Sequence, residues 1–596
     1  MECITRLFCA ITLPVAALTL AVPAAAAPPE RKAGYEVWAS DQSNSLPGQP
    51  PGTAGSYIWI WDSEDIERQI AGGPDAQPLG CKVPFGSRSP GNAGPCDLLD
   101  MFPQDLVEVG PDGQPTGNTL ADLDGFGRLH GMLPDPQGRY VNANVFAPGG
   151  GYVGIIDTWR KEAVALFRVT GTNVGGGSDV RSVHMSFWDA SGSSIIVANL
   201  NGKVLERIDV ERDRKDRIVA ARFNRTASLG VGKGMIVTTT ATTFVGRNAH
   251  GRRLVGNVVG DYDAGAFGDL TPNGFCKENG CQQGNGDAPL GGRPNNVIIC
   301  PISSENGNSY VTLAGGGLLV ADTGQTPMAI TAEYSNQVVP GAGCGGAQSG
   351  DNMFINAGVS ASGAGATWSV FDVYVFDDTA YGSVQTPNLP LPTPVFADPD
   401  NTATGGRMSG PSENLTGQIP GITTRRDAHG AITTVDGAYV HIVDRIQNRV
   451  EVFDGQSGQP TATYDLTSGD GQGNGTGPCA VKSVADDWNL PVNDPAPDLM
   501  DRTLDGHYLM VALRGPAPVS VNHGAQGSCP GVGIIALAED GQTGRMVEVL
   551  RTSNLVDTSP TSAPGGDDYT GAERSDIHDV TVVRKGPGVS GRSGKR

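Results

Sequence analysis

Short apolar runs alternate with polar turns over most of the chain. In the clearest stretch, residues 140–144 (YVNAN) and 152–157 (YVGIID) are two such runs, and the polar turn 135–138 (DPQG) precedes them. Runs of five or six residues bounded by glycine, proline and aspartate are typical of β-strands, whereas a helix needs apolar residues at every third or fourth position over a longer window. The pattern therefore predicts many short strands joined by glycine-rich loops. It excludes a coiled coil or a helical bundle.

The unit that contains these strands recurs along the chain. Each copy opens with a polar residue, continues through a turn and an aromatic or aliphatic strand, and reaches a third strand that often ends in aspartate. The residues that open the copies are His130, His184, Cys300, Cys344, His429, Asp498 and His578. Units of about 45 residues are typical of propeller blades, so the repeat predicts a ring of them.

The two ends of the chain complete the repeat. Residues 35–39 and 57–62 form two predicted strands without an opening strand, and residues 578–583 form a predicted strand without partners. Pairing the last strand with the first would close the ring and remove both exposed edges. The sequence thus predicts an all-β fold, a seven-bladed β-propeller with long loop insertions and a split closing blade.

The domain organisation follows from the same repeat. Residues 27–584 are predicted to form the propeller, and residues 585–596 a disordered basic tail. Three long insertions are expected on one rim, where repeat proteins carry binding surfaces: about 68–128, 225–295 and 378–425.

The N-terminal segment predicts the compartment. Residues 1–26 match a secretory signal, because Arg6 precedes an apolar run that ends in small residues suited to cleavage. We therefore expect a periplasmic or secreted protein that does not contact the membrane once this signal peptide is removed. The net charge of -21, from 63 acidic and 42 basic residues, argues against a nucleic-acid partner.

The cysteines support the same compartment. Ten cysteines fall to eight without the signal peptide, and an even number in an exported chain favours disulfides. Cys300 and Cys344 open neighbouring units, so they could form an inter-blade disulfide, which we favour, or supply thiolate ligands. Two further pairs each bracket a polar loop and are predicted to form local disulfides: Cys81 with Cys96, and Cys276 with Cys281.

The units at 130–158 and 429–454 carry a turn aspartate, a Tyr-Val second strand and a third strand that ends in Asp. They resemble the YVTN type of β-propeller. Histidines that open inner strands are similar to those of periplasmic copper propellers, namely thiocyanate dehydrogenase and nitrous oxide reductase. No cupredoxin domain follows the propeller, so thiocyanate dehydrogenase is the better match in architecture. The resemblance implies a copper site at one mouth of the central channel, with these metal ligands: His130, His184, His429 and His578.

The residues themselves leave the role of these histidines open. Imidazoles held on rigid strands suit copper or zinc, and four of only eight histidines fall at the same position of the repeat. Histidines near a buried axis also serve as structural hydrogen-bond partners of the backbone. Acid–base catalysis without a metal is a third and less favoured interpretation.

Other polar residues carry weaker signals. Asp498 could be an oxygen ligand or a proton acceptor, although a turn carboxylate is the commoner role. His441 and His507 are predicted to be structural, and His250 and His523 to lie in loops. Calcium is a second candidate cofactor, through acidic turns. These turns are Asp261-Tyr262-Asp263 with Asp269, Asp122-Leu123-Asp124 and Asp398-Pro399-Asp400-Asn401.

The predicted function is a copper-dependent oxidoreductase acting on a small inorganic or sulfur-containing substrate. The alternative is a non-enzymatic propeller that binds a protein or glycan partner through its long acidic loops. Lactone hydrolysis, as in the lactonase propellers, would need a water-activating site that the sequence does not reveal. The sequence lacks the phosphate-loop motif and a convincing nucleophile elbow, so nucleotide binding and serine hydrolysis have little support.

Overall fold

The computed structural model describes most of the chain between residues 34 and 586. The described residues are 34–43, 54–81, 94–123, 126–146, 150–174, 179–231, 235–268, 298–313, 317–334, 338–339, 343–357, 371–381, 390–398, 427–445, 447–467, 476–481, 484, 492–516, 527–554 and 573–586. The predicted signal peptide 1–26 lies outside them, as do nearly all of the tail, Cys276, Cys281 and His523.

The described residues are mainly strands, with three short α-helices. The first strands are β1 (Tyr35–Asp41), β2 (Ala54–Gly55), β3 (Tyr57–Asp62), β4 (Cys96–Asp97), β5 (Val107–Val109), β6 (Pro115–Thr119), β7 (Phe126–Gly127), β8 (Leu129–Pro134), β9 (Tyr140–Val145), β10 (Tyr152–Asp157), β11 (Glu162–Arg168) and β12 (Gly171–Val174). The middle strands are β13 (Val183–Trp188), β14 (Ser194–Asn199), β15 (Val204–Arg212), β16 (Ile218–Asn224), β17 (Leu229–Gly230), β18 (Met235–Thr239), β19 (Thr242–Val245), β20 (Gly256–Val259), β21 (Ile298–Ser303), β22 (Asn308–Leu313), β23 (Leu318–Asp322) and β24 (Ala329–Tyr334). The last strands are β25 (Gly346–Ser349), β26 (Asn352–Ala357), β27 (Phe371–Asp377), β28 (Thr393–Asp398), β29 (Ala428–Thr433), β30 (Tyr439–Asp444), β31 (Arg449–Asp454), β32 (Pro460–Asp465), β33 (Pro497–Arg502), β34 (Tyr508–Leu513), β35 (Gly531–Leu537), β36 (Gly544–Arg551) and β37 (Ile577–Arg584). The helices are α1 (Ser63–Ile70), α2 (Leu98–Met101) and α3 (Ala264–Gly268).

These strands form an all-β propeller. Four consecutive strands make one antiparallel sheet in β21–β24, β25–β28, β29–β32 and β33–β36. Two larger sheets start from β8–β11 and β13–β16, and a further sheet has the order β37-β1-β3-β4. The blade count of this propeller is six, whereas we predicted seven blades. Seven of the sheets in the described residues contain four or more strands.

The first and last strands of the described chain share one sheet. β37 pairs antiparallel with β1, which places Trp38 opposite Thr581. The C-terminal strand is therefore innermost in a sheet whose other strands come from the N-terminal region. This pairing satisfies the backbone groups of both terminal strands and holds the ring together by hydrogen bonds.

The turn between the first and second strands of a sheet has a recurring chemistry. Gly138 has a φ of 69° and Gly192 a φ of 70°, a region that glycine adopts without a steric penalty. Each of these amides donates to the backbone carbonyl of an aspartate three residues earlier, Asp135 or Asp189. The turn signal read from the sequence thus fixes the short hairpins that begin these sheets.

The apolar core lies between neighbouring sheets. Ile195 and Val197 of β14 pack with Val153 and Phe167 of the preceding sheet, and all four are fully buried. Because a central propeller strand is covered on both faces, its sequence is a nearly continuous apolar run rather than a strict alternation.

The described parts of two predicted insertions add strands at the outer edges of sheets. Within 68–128, β5 and β6 extend the sheet of β8–β11 through β19, which comes from the insertion 225–295. From the same second insertion, β20 pairs in parallel with β16. Most of 378–425 lies outside the described residues. Within the described ranges, we find no helix of the length and apolarity that a bilayer crossing requires.

Candidate functional site

The innermost strands place the residues that open each repeat at matching positions. His130, His184, His429 and His578 are each the second residue of their strands, β8, β13, β29 and β37. Asp498 is the second residue of β33, and Cys300 the third residue of β21. The repeat position inferred from the sequence is therefore a common structural position.

A backbone irregularity accompanies this position. The pairing of β8 with its neighbour shifts between Leu129 and Gly131, which flank His130. The pairing of β29 shifts between Ala428 and Ala431, and similar shifts occur in β13, β21 and β33. Bulges re-aim side chains and are common next to active sites. The innermost strands thus leave the regular ladder at the residues that meet near the axis.

The structure brings the four predicted histidines into one cluster. The Nε2 atoms of His130 and His184 lie 3.1 Å apart. The rings of His130 and His578 stack with their centroids 3.9 Å apart, and the centroids of His429 and His578 are 5.7 Å apart. None of the four is more than 4% exposed. We call these four residues the histidine cluster.

Three imidazoles of the cluster have lowered pKa values. Burial, followed by the charges of His429 and Arg128, lowers the pKa of His184 to about 3, against a hydrogen bond with the Ile299 backbone. Burial, followed by the charges of His578 and His184, also holds the pKa of His130 well below its usual value. Neutral imidazole is the form that binds metal ions.

Asp498 completes one side of the cluster. Its Oδ1 lies 2.8 Å from His429 Nε2, and its Oδ2 accepts a hydrogen bond of 2.7 Å from Arg514. Burial alone would raise the pKa of Asp498, but the charges of His429, His578 and Arg445 outweigh it and hold the pKa well below its usual value. Asp498 is thus a buried carboxylate in a strand. Our preference for a turn carboxylate was wrong, because β33 carries it to the centre.

Two arginine–aspartate pairs frame the site. Arg514 donates two hydrogen bonds of 2.7 Å to Asp576, and Arg445 donates bonds of 2.9 and 2.6 Å to Asp427. All four side chains are buried. The sequence analysis missed these residues, although Asp427 and Asp576 each stand two positions before a cluster histidine. That shared Asp-x-His spacing was the available signal.

Two further side chains at the cluster were also missed. The Gln42 side-chain amide lies 3.1 Å from His130 Nδ1. The Arg128 guanidinium stacks over the Phe146 ring at 4.2 Å, and burial lowers its pKa to about 9 despite the nearby charge of Asp576. Both lie in non-repeating segments before an inner strand or after β1, so the repeat gave no indication of them.

The Cys300–Cys344 disulfide predicted between neighbouring units is confirmed. Its two sulfurs lie against the cluster, 3.6 and 3.7 Å from His184 Nδ1. A second disulfide joins Cys479 to Cys529, a pairing that the sequence analysis did not propose. The bonded sulfurs are not thiolates, so the alternative role of Cys300 and Cys344 as ligands does not apply to this state.

The predicted Cys81–Cys96 disulfide is not formed. Both residues remain buried thiols. Cys96 is fixed in β4 opposite Ile58, and its thiol lies 3.9 Å from the Leu79 carbonyl. Burial and a hydrogen bond with Cys81 raise the pKa of Cys96 well above its usual value. The second predicted local pair, Cys276 with Cys281, lies outside the described residues.

The other described histidines lie away from the cluster. His441 is buried, and its ring nitrogens lie 3.1 Å from the Tyr464 hydroxyl and 2.9 Å from the Gly541 carbonyl. Burial lowers its pKa to about 4. His507 is exposed and lies 2.9 Å from Asp505. His250 lines an outer cavity of about 300 Å³ that also contacts Cys81 and Lys161.

The acidic turns that we considered as calcium sites bind other groups of the protein, where the structure describes these turns. Asp122 accepts hydrogen bonds from the backbone and hydroxyl of Thr119, at 2.8 and 2.7 Å. Asp261 pairs with Arg225 at 3.0 Å. Within the described ranges, neither belongs to a group of three possible metal-ligating side chains. Calcium therefore stays a prediction, and Asp269 and parts of the turns at 122–124 and 398–401 lie outside the description.

The chain has only distant likenesses to solved structures. No family model matches the chain, and no curated protein matches it. A protein from Lactobacillus plantarum is 9% identical, with 92% of this chain and 99% of that chain covered and a TM-score of 0.40. A periplasmic gluconolactonase from Pseudomonas aeruginosa is also 9% identical, with the same coverage and a TM-score of 0.39. The hydrazine synthase of Kuenenia stuttgartiensis is 12% identical, with 77% and 87% covered and a TM-score of 0.34.

These likenesses are too distant to transfer an activity to this chain. The resemblance to copper propellers stays a prediction.

Proposed function

We propose that the histidine cluster binds a transition metal at the propeller axis and that this metal is copper. The observation that carries the proposal is the meeting of His130 and His184, whose Nε2 atoms lie 3.1 Å apart with His578 stacked on His130. Two ligand nitrogens that bind one ion at about 2.0–2.1 Å take a separation of this size. Imidazole nitrogens suit copper and zinc, and copper is the ion that the sequence resemblance implies.

The donor set fits such an ion in two further respects. Burial holds the His130 and His184 imidazoles neutral, so no proton competes for their ligand nitrogens at neutral pH. In addition, Nδ1 of His578 is buried and has no hydrogen-bond partner among the described residues. A buried polar atom without a partner is costly, and a bound ion would remove that cost.

The surrounding residues would support this role. Copper supplies one-electron chemistry when it is bound. Asp498 holds His429 in place through the 2.8 Å contact at Nε2, and Arg514 holds Asp498 in turn. The proposed activity is the oxidation or reduction of a small inorganic or sulfur-containing molecule.

The proposal includes export of the protein and a ring of seven blades. Two disulfides are typical of a protein that folds in an oxidising compartment, which supports a periplasmic or secreted location.

Seven blades are supported by the seven sheets of four or more strands. They are also supported by the innermost strands, which contact one another in the order β37, β8, β13 and β21, and then β25, β29, β33 and β37. The Cys300–Cys344 bond links the two halves of that order.

The test is metal analysis of the full chain, produced with a copper supply and purified without a histidine tag. We expect stoichiometric copper in the wild type and its loss in a His130→Ala/His184→Ala variant. His441→Ala is the matched control, because His441 is an equally buried histidine whose ring contacts protein groups outside the cluster. A wild type that holds no metal even after reconstitution would overturn the proposal and leave the histidines as structural hydrogen-bond partners.

A further inference from the structure

The disulfide beside the histidine cluster has a specific relation to one of its rings. Nδ1 of His184 lies 3.6 Å from Cys300 Sγ and 3.7 Å from Cys344 Sγ. The opposite nitrogen of the same ring, Nε2, faces His130. His184 therefore stands between two groups, the other imidazole and the sulfur pair.

We propose that reduction of the Cys300–Cys344 disulfide creates a second metal site, in which His184 Nδ1 and the two thiolates bind a soft or borderline divalent ion or Cu(I). Thiolates select such ions over hard cations. The site shares His184 with the proposed copper cluster. It does not require that cluster to hold a metal.

The distances support three ligands on one ion. For bonds of about 2.3 Å to sulfur and about 2.0–2.1 Å to nitrogen at a tetrahedral ion, sulfur and nitrogen lie about 3.6 Å apart. The two observed distances of 3.6 and 3.7 Å already have this value. Only the sulfurs must move apart, and breaking their bond allows that. Three protein ligands leave one position of a tetrahedral ion open.

The residues around the Cys300–Cys344 disulfide distinguish it from the Cys479–Cys529 disulfide. Cys300, Cys344 and His184 form a group whose ligand atoms all lie within 4.8 Å of one another, and all three side chains are buried. In the part of the chain that the structure describes, Cys479 and Cys529 belong to no such group. Burial keeps competing water away from the thiolates, which favours metal binding once they form.

Formation of this site takes two steps, reduction of the disulfide and binding of the metal ion. A dithiol reductant transfers two electrons and two protons to the disulfide, yielding the Cys300 and Cys344 thiols while the dithiol becomes a disulfide. The metal ion then replaces one proton on each thiol, and the two protons pass to solvent.

One consequence links the two sites. A neutral imidazole has one nitrogen with a lone pair and one that carries hydrogen. When His184 Nδ1 binds an ion, the hydrogen must stand on Nε2, the atom that faces His130. Reduction would therefore withdraw His184 from the histidine cluster and weaken copper binding there, a step that rests on the proposed function.

The experiment uses Co²⁺ as the probe, because thiolate ligation gives a charge-transfer absorption that imidazole ligation lacks. The full chain is stripped of metal, and half is reduced with a small dithiol under anaerobic conditions, with thiol titration to verify the reduction. We expect the thiolate band to appear, saturating at one equivalent, in the reduced wild type and in a Cys479→Ser/Cys529→Ser variant. We expect its loss in Cys300→Ser/Cys344→Ser.

Two controls keep the result decisive. A Cys81→Ser/Cys96→Ser background removes the thiols that the described residues carry before reduction. In the wild type, bound Co²⁺ should also protect Cys300 and Cys344 from alkylation, mapped by mass spectrometry, so the test does not depend on a variant that folds poorly. A verified reduced chain without the band or the protection overturns the proposal, as does a band that persists without Cys300 and Cys344. Cobalt bound by the oxidised chain, without the band, reports the histidine cluster alone.

Discussion

The Nε2 atoms of His130 and His184 lie 3.1 Å apart, although 54 residues separate the two histidines in the chain. Each is the second residue of an innermost strand, and the two strands belong to neighbouring sheets. The two histidines occupy the same position of the repeat, and a bulge in each strand orients their side chains. They therefore contact each other near the axis. The same reasoning applies to His578, which stacks on His130.

Removing the charge of Asp498 should destabilise the fold strongly. Asp498→Asn leaves Arg514 with Asp576 as its buried carboxylate partner and removes one charge-assisted hydrogen bond, which is worth about 1.5–3 kcal/mol. The measurement is the free energy of unfolding in denaturant. Asp465→Asn is the matched control, because its 2.8 Å pair with Arg449 is about one-third exposed and should be worth less than about 1 kcal/mol. Equal losses in the two variants would contradict the buried network.

A methyl group at Gly430 should disturb the histidine cluster without changing a polar residue. An added Cβ would collide with the Asp498 backbone carbonyl and lie 2.8 Å from the Leu499 Cα. Overpacking of this kind costs about 1–3 kcal/mol, and here it would also push β29 away from β33 and separate His429 from Asp498. We expect Gly430→Ala to lower both stability and metal content. Gly324→Ala is the control, since its Cβ would meet only an Asp322 oxygen at 3.4 Å.

Stability should depend on pH through the buried carboxyl of Glu206. Burial raises its pKa from 4.5 to about 7, against hydrogen bonds from Thr170 and Asn199. A carboxyl whose pKa rises on folding stabilises the fold fully below its unfolded pKa, and this contribution is lost as the pH rises through its folded pKa. Between pH 4.5 and about 7 the wild type should therefore lose stability relative to Glu206→Gln. Melting temperatures of both proteins across this range test the difference, and parallel curves would refute it.

Both disulfides should stabilise the chain to a similar extent. They close loops with sequence separations of 44 and 50 residues, and the chain-entropy relation gives about 4 kcal/mol for each. Denaturant unfolding of Cys300→Ala/Cys344→Ala and Cys479→Ala/Cys529→Ala should show losses of that order. Only the first variant should also alter metal binding, because only that disulfide contacts His184. An unchanged free energy of unfolding in either variant would show that its disulfide does not constrain the unfolded chain.

The repeating features of the fold could be predicted from the sequence. Apolar runs and turn residues identified the strands around 140–157 and 439–454, and the equivalent opening positions selected the four cluster histidines and the Cys300–Cys344 pair. These inferences succeed because a strand and its turn are specified by residues close together in the chain. The copper ion, the substrate and export stay predictions.

Only the tertiary structure decided the contacts between residues that no repeat relates. The pairing of Asp498 with His429, the Arg514–Asp576 bridge and the Cys479–Cys529 disulfide each join segments whose separation depends on how the whole ring closes. Cys81 and Cys96 are thiols, although their spacing favoured a bond. A local pattern can specify an element, but distances across the axis are set by the packing of all the sheets together, and it is those distances that make a cluster of histidines from four separate strands.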